Sequence, residues 1–139
     1  MSRIPYNSKE IELLARIMRA EAIGEGVFGM KLVGNVVVNR VVATCKPFKN
    51  KNTINEVIFQ KNAFEGTTSP LFNGRPNEQL KKIAKECITF WRAEPAYSAL
   101  YFYAPGKNNK CKSYFWGNYT GKFKNHCFYK SENNGDCNL

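Results

Sequence analysis

The chain has 139 residues, 43% of them hydrophobic and 14% aromatic, enough for one folded core and too few for two of ordinary size. The 21 Lys and Arg against 11 Asp and Glu leave a net charge of +10, which favours anionic partners such as nucleic acid, anionic lipid or a bacterial wall polymer. The aromatic surplus excludes a disordered chain, no run approaches the roughly 18 apolar residues of a membrane span, and "MSRIPYNSKE" lacks the apolar centre of a secretory signal.

No internal repeat, low-complexity tract or linker interrupts the sequence, so a single domain over residues 1–139 is expected. The first helix is predicted to start at Asn7, where Asn7 and Glu10 have capping-box spacing. It runs to about Ala22, where Gly24 and Gly26 stop it. A second helix covers about Phe28 to Val42, striped by Met30, Val33, Gly34, Val37 and Val41; small Gly34 leaves room for a close neighbour. Its valines suit a strand equally well, but the 3–4 spacing decides for helix.

Beyond the basic loop "CKPFKNKN", Thr53 and Glu56 form another capping box, opening a short helix from Ile54 to Gln60. "EGTTSPLFNGRP" reads as loop. Pro76 begins a longer helix to about Ala93, striped by Leu80, Ile83, Ala84, Cys87 and Trp91. The character then changes. "YSALYFY" (97–103) is strand-like, and "YFWGNYTGKFKNHCFY" reads as strand or hairpin broken at Gly117 and Gly121. Helices followed by a small sheet region make the fold class α+β.

The stretch "RAEAIGEG" (19–26) holds the first chemical signal. Glu21 follows Leu14, Ile17 and Met18 by seven, four and three residues, which places a carboxylate on the apolar face of its helix. Burial there disfavours the charged form, and so does the negative end of the helix dipole. A carboxyl kept protonated near neutral pH is the general acid that glycosidic cleavage requires. A helix-end glutamate that turns into solvent fits the same spacing.

Glu25 is best placed to favour the N-terminus of the second helix, with a substrate contact as its other role. Glu65 in "NAFEG" is a loop carboxylate able to serve as the second acid of a two-carboxylate glycosidase. Phe64, Tyr97, Tyr101, Tyr103, Trp116 and Tyr119 offer rings for stacking on sugars, although core is the default for any one of them. Tyr97, Ala99, Tyr101 and Tyr103 share one strand face, the expected groove wall. Five cysteines without a CxxC, and His126 as the single histidine, argue against a zinc site. Cys87 sits in a helical stripe as a core residue, and pairing among Cys45, Cys111, Cys127 and Cys137 is open.

"RAEAIGEG", "GNVVVNRV", "VIFQKNAFE", "ALYFYAP" and "KNHCFY", in this order and spacing, resemble the SleB/CwlJ cell-wall hydrolases, and more closely the short CwlJ-type spore cortex-lytic enzymes. The resemblance covers about residues 8–137. It implies a lysozyme-like α+β fold related to lytic transglycosylases and cleavage of peptidoglycan glycan strands in the spore cortex during germination. It places the catalytic glutamate at Glu21 and adds Glu25, Gln60, Phe64, Tyr101, Tyr103 and His126 as substrate contacts. It further implies synthesis in the mother cell without export, a place at the coat–cortex boundary and a spore coat protein as partner. The expectation includes no cofactor and no metal site; a calcium dependence enters only through the resemblance, since the DxDxDG pattern is absent. The competing readings are a hydrolytic muramidase or N-acetylglucosaminidase using Glu65, and a non-catalytic basic coat or wall-binding protein. A nucleic-acid binder lacks any recognisable signature here.

Overall fold

The computed structural model describes residues 2–106, 108–132 and 137–139. Four helices come first: α1 (Ser8–Ala22), α2 (Gly26–Val42), α3 (Ile54–Ile58) and α4 (Glu78–Thr89). Three antiparallel strands follow, β1 (Tyr101–Tyr103), β2 (Asn118–Phe123) and β3 (His126–Lys130), with β3 in the middle of the sheet. The α+β order expected from the sequence is therefore the observed one.

α2 is the axis of the molecule. Leu32, Val33 and Val36 to Val38 are all fully buried, the pattern of a helix covered on every side. Val33, Val37 and Val41 pack with α1, α3 and α4, whereas Leu32 and Val36 face Ala96, Ala99 and Phe128 of the sheet region. This two-sided burial explains the valine-rich sequence that made helix and strand rivals. A Cβ on Gly34 would lie 2.9 Å from the Cys87 Sγ and 3.0 Å from the Met18 Sδ, so the missing side chain does let α1 and α4 close on α2. Cys87 is buried in that contact, as its stripe predicts.

The helix starts use the expected caps with one exchange. Asn7 accepts the Glu10 N–H at 2.9 Å, but the Glu10 carboxylate reaches across to accept from the Asn55 N–H at 3.2 Å, at the start of α3. Thr53 accepts the Glu56 N–H, while the Glu56 carboxylate accepts in return from the Asn52 N–H and the Thr53 hydroxyl, and Asn77 caps α4.

Several boundaries differ from the expectation: α2 begins at Gly26 rather than Phe28, α3 ends at Ile58 rather than Gln60, and Pro76 lies before α4, which Asn77 caps. α4 stops at Thr89 rather than Ala93, because the Phe90 and Trp91 N–H groups both turn back to the Glu86 carbonyl. The Ala93 N–H is taken by the Asn35 side chain. The strand expected over 97–103 is only Tyr101–Tyr103. Buried Asn39 donates its side-chain amide to the Ala96, Tyr97 and Ala99 carbonyls, curling this stretch against α2 instead of extending it. β2 also runs through Gly121, which marks a bulge between Tyr119 and Gly121 rather than a break. A Cβ at Gly121 would lie 2.8 Å from Pro95.

Two disulfides, Cys45–Cys137 and Cys111–Cys127, tie the C-terminal region to itself and to the end of α2. Among the described residues, no helix is long and apolar enough to cross a membrane.

Candidate active site

A cleft of about 1350 Å³ runs between the end of α1, the loop 60–69 and the face of β1. Glu21 stands on its floor, half-buried, and does not turn into solvent. The stretch that follows that loop, 71–74, is held by the polar side of α1. The Arg16 guanidinium donates to the Phe72 carbonyl at 2.7 Å, and Arg19 donates to the carbonyls of Leu71, Asn73 and Gly74. Just before this anchored stretch, the Gly66 N–H donates to the Glu21 carboxylate at 2.5 Å. A Cβ at Gly66 would overlap Glu21 and press on Ala20. Only glycine permits this approach, and the "FEG" sequence is its one trace in the chain.

Burial pushes the Glu21 carboxyl above the ordinary range, and the charge of nearby Glu65 adds to this. The Gly66 hydrogen bond, His126 and Arg40 oppose the rise without cancelling it.

The sequence-derived site residues divide. Gln60, Phe64, Glu65, Tyr101, Tyr103 and His126 all border the cleft with Glu21. Glu65 is exposed. Phe64 is buried beneath the Arg40 guanidinium, 4.6 Å from the ring centre, and contributes floor rather than an open stacking face. Tyr101 and Tyr103 form wall as expected, joined by Phe102, which the alternation had assigned to the opposite face. β1 is an edge strand with all three residues half-buried, so the cleft reaches both of its faces. Tyr97 is absent from the wall; its ring carries Arg92 at 3.8 Å.

Glu25 holds the expected place at the N-cap of α2 but not the expected place among the substrate contacts. It makes no side-chain cap to α2, and it is buried away from the cleft. Its Oε1 lies 2.7 Å from the His126 Nδ1, and its Oε2 accepts the Asn125 N–H at 2.8 Å. The glutamate therefore links the α1–α2 turn to the β2–β3 turn and fixes the ring of His126, which does reach the cleft. Gly29 makes room for it, since a Cβ there would meet the Glu25 Cβ.

Arg40 is the residue the sequence reading passed over. It is buried under the cleft, donates from Nε to the Leu100 carbonyl at 2.7 Å, and stacks against Phe48, Phe64 and Tyr101. Burial lowers its pKa to about 10 while Tyr101 and Glu21 pull it back up. "NRV" at the end of a valine-rich helix was the available signal: a cation within the fully buried stretch of a helix needs a partner. Among the described residues, no three His, Cys, Asp or Glu side chains gather as a metal ion requires.

A half-buried carboxyl of raised pKa on the floor of an aromatic-walled cleft is an arrangement that can donate a proton to a glycosidic bond. The sequence agrees. Residues 24–129 match the model of the cell wall hydrolase family, and the chain belongs to that family. The matched stretch begins three residues after Glu21. The chain is similar to the "cell wall hydrolase CwlJ" of Oceanobacillus iheyensis, with 39% identity over 93% of this chain and 92% of that one. The Bacillus subtilis protein of the same name is 37% identical over 94% and 91%. A "spore cortex-lytic enzyme" of Bacillus cereus is 33% identical over 72% of this chain but only 36% of its own length. Among solved structures, the catalytic domain of Bacillus cereus SleB matches with a TM-score of 0.73 and 28% identity, covering 91% of this chain and 95% of that one. The catalytic domain of the "germination-specific lytic transglycosylase SleB" of Bacillus anthracis matches at 0.71 and 29%, covering 91% and 100%. The fold is the lysozyme-like one of those domains.

Proposed function

We propose that this chain degrades peptidoglycan of the spore cortex during germination, cleaving its glycan strands as a lytic transglycosylase with Glu21 as the single acid and base. The observation that carries this reading is the Glu21 carboxyl itself: half-buried, raised by desolvation and positioned by the Gly66 N–H in the cleft floor. The CwlJ and spore cortex-lytic relatives supply the substrate and setting.

In the proposed step, protonated Glu21 gives its proton to the bridging oxygen at C1 of a muramoyl residue as the C1–O bond breaks. The positive charge developing at C1 faces the newly formed carboxylate. That carboxylate then takes the proton of the muramoyl 6-hydroxyl, whose oxygen bonds to C1. Glu21 ends protonated, no water is consumed, and the product carries a 1,6-anhydro ring. Arg40 lies beneath the cleft, near enough to favour the ionised state of Glu21 between the two transfers.

Hydrolysis is the second reading, because Glu65 borders the same cleft and its charge is felt by Glu21. A hydrolase needs its second carboxyl about 5–5.5 Å from the acid for retention, or 6.5–9.5 Å for inversion. The deciding experiment is mass spectrometry of muropeptides released from purified cortex by the wild-type protein and by Glu65→Gln. Transglycosylation gives 1,6-anhydromuramic ends and an active Glu65→Gln. Reducing ends together with an inactive Glu65→Gln would transfer the enzyme to the hydrolases. Residence in the spore cortex region belongs to the same proposal, supported by the spore cortex-lytic relatives, and a place at the coat–cortex boundary with a coat-protein partner is proposed with it from the sequence resemblance alone.

A further inference from the structure

One large aromatic side chain stands apart from the packed ones. Trp116 is 71% exposed, the most open large hydrophobic residue of the described chain, and it borders the cleft. Its backbone is at φ +60°, a left-handed conformation that bulky side chains rarely adopt. An exposed indole on an unfavourable backbone is retained against two physical costs at once, and such positions gather at ligand clamps.

The loop beneath Trp116 is built to hold it still. The Cys111–Cys127 disulfide ties the loop to β3. The Lys112 N–H donates to the Tyr103 hydroxyl at 2.9 Å, and the Tyr129 hydroxyl donates to the Lys112 carbonyl at 2.7 Å. Phe115 lies on Tyr103 at 4.7 Å, placing the neighbouring ring in the aromatic stack. On the other side, Gly117 sits so close to the end of β3 that a Cβ would overlap the Lys130 carbonyl. Trp116 is fixed by its neighbours while its own ring is left open.

We propose that Trp116 is a stacking platform for one pyranose ring of a β-linked N-acetylhexosamine chain, a binding subsite on the open wall of the cleft that Glu21 also lines. A flat, apolar, rigid indole matches the axial C–H face of such a ring and costs little ordering on binding. The inference rests on the reading of the substrate as a glycan strand, and its test is one of binding rather than cleavage.

The chain supplies its own probe, having only two tryptophans. Trp91 is edge-on to Phe28 at 5.6 Å, with Lys31 over its ring, and does not border the cleft. The experiment uses the full chain with Glu21→Gln, titrated with soluble glycan strands stripped of peptide stems, read by tryptophan fluorescence and by calorimetry. Emission should shift on binding. Adding Trp116→Ala should weaken affinity roughly five- to tenfold and abolish the shift, whereas Trp116→Phe should restore affinity to within about twofold. Unchanged affinity in Trp116→Ala, no emission change where calorimetry registers binding, or no binding of strands at all would each overturn the platform. Cleavage by Glu21→Gln would overturn the acid assignment and leave the platform standing.

Discussion

The helical region and the sheet region reach order by different means. In the first, α1, α3 and α4 bury a continuous apolar core against α2, and the only cysteine in that core, Cys87, is a free thiol pushed up to about 12 by burial. In the second, three short strands have little core of their own, and every disulfide ends there. The cleft lies on the seam. The helical side presents a desolvated carboxyl; the sheet side presents tyrosines, Trp116 and His126. A dense core is the cheaper way to raise a carboxyl pKa, and a stapled aromatic sheet is the cheaper way to make a rigid wall.

The largest expected effect tests the helical side. Glu21→Gln should lower glycan cleavage by at least about 10²–10⁴-fold, measured as turbidity loss of decoated spores. The wild-type rate should fall as pH rises through the raised Glu21 pKa, since only the protonated acid can donate. Stability follows the same sign. The folded state holds the Glu21 proton more tightly than the unfolded chain, so wild-type stability declines as pH rises from about 4.3, the unfolded value, through the raised folded one. Glu21→Gln removes that decline. The inactive variant should therefore be the more stable protein at neutral pH and equal to wild type in acid. A variant less stable at pH 7 than at pH 4, relative to wild type, would mean burial is not what holds the proton.

The next tests act on the sheet side. Replacing Cys45 and Cys137 by Ser opens a link spanning 92 residues, against 16 for Cys111 and Cys127. Loop-closure entropy gives losses of roughly 4–5 and 3 kcal/mol respectively, readable from urea midpoints. Equal losses for the two pairs would locate the stabilisation in local packing instead. Removing the shorter link should also raise the KM for glycan more than it lowers kcat, because it frees the Trp116 loop.

A smaller effect is expected where the two regions are joined. Glu25→Gln exchanges a buried carboxylate for an amide beside His126 and should cost about 1–3 kcal/mol by denaturant titration. The cost in the Glu25→Gln/His126→Gln double variant should fall short of the sum, as for any contacting pair. Additive losses would show that the two side chains stabilise the protein independently.

The smallest effect involves neither region in particular. With a net charge of +10, sedimentation with anionic wall material should weaken as salt rises past the point where charges about 8–10 Å apart are screened. Binding indifferent to salt would assign the affinity to the aromatic wall alone.

The sequence by itself determined the α+β order, the helix starts at Asn7 and Thr53, the place of Glu21 on the apolar side of its helix, the buried role of Cys87 and the family. Each of these depends on contacts within a few residues, on a 3.6-residue period or on ordered motifs, all legible along a chain. Only the tertiary structure decided the pairing of the cysteines, the curl that shortens β1, and the close approach of Gly66 to Glu21, since each joins segments far apart in the chain. It also separated two glutamates four positions apart. Glu21 meets one backbone N–H and is left raised on the cleft floor, while Glu25 meets His126 and Asn125 from the far end of the chain. The local pattern made them a pair; the β2–β3 turn, arriving about a hundred residues later, gave them different chemistry.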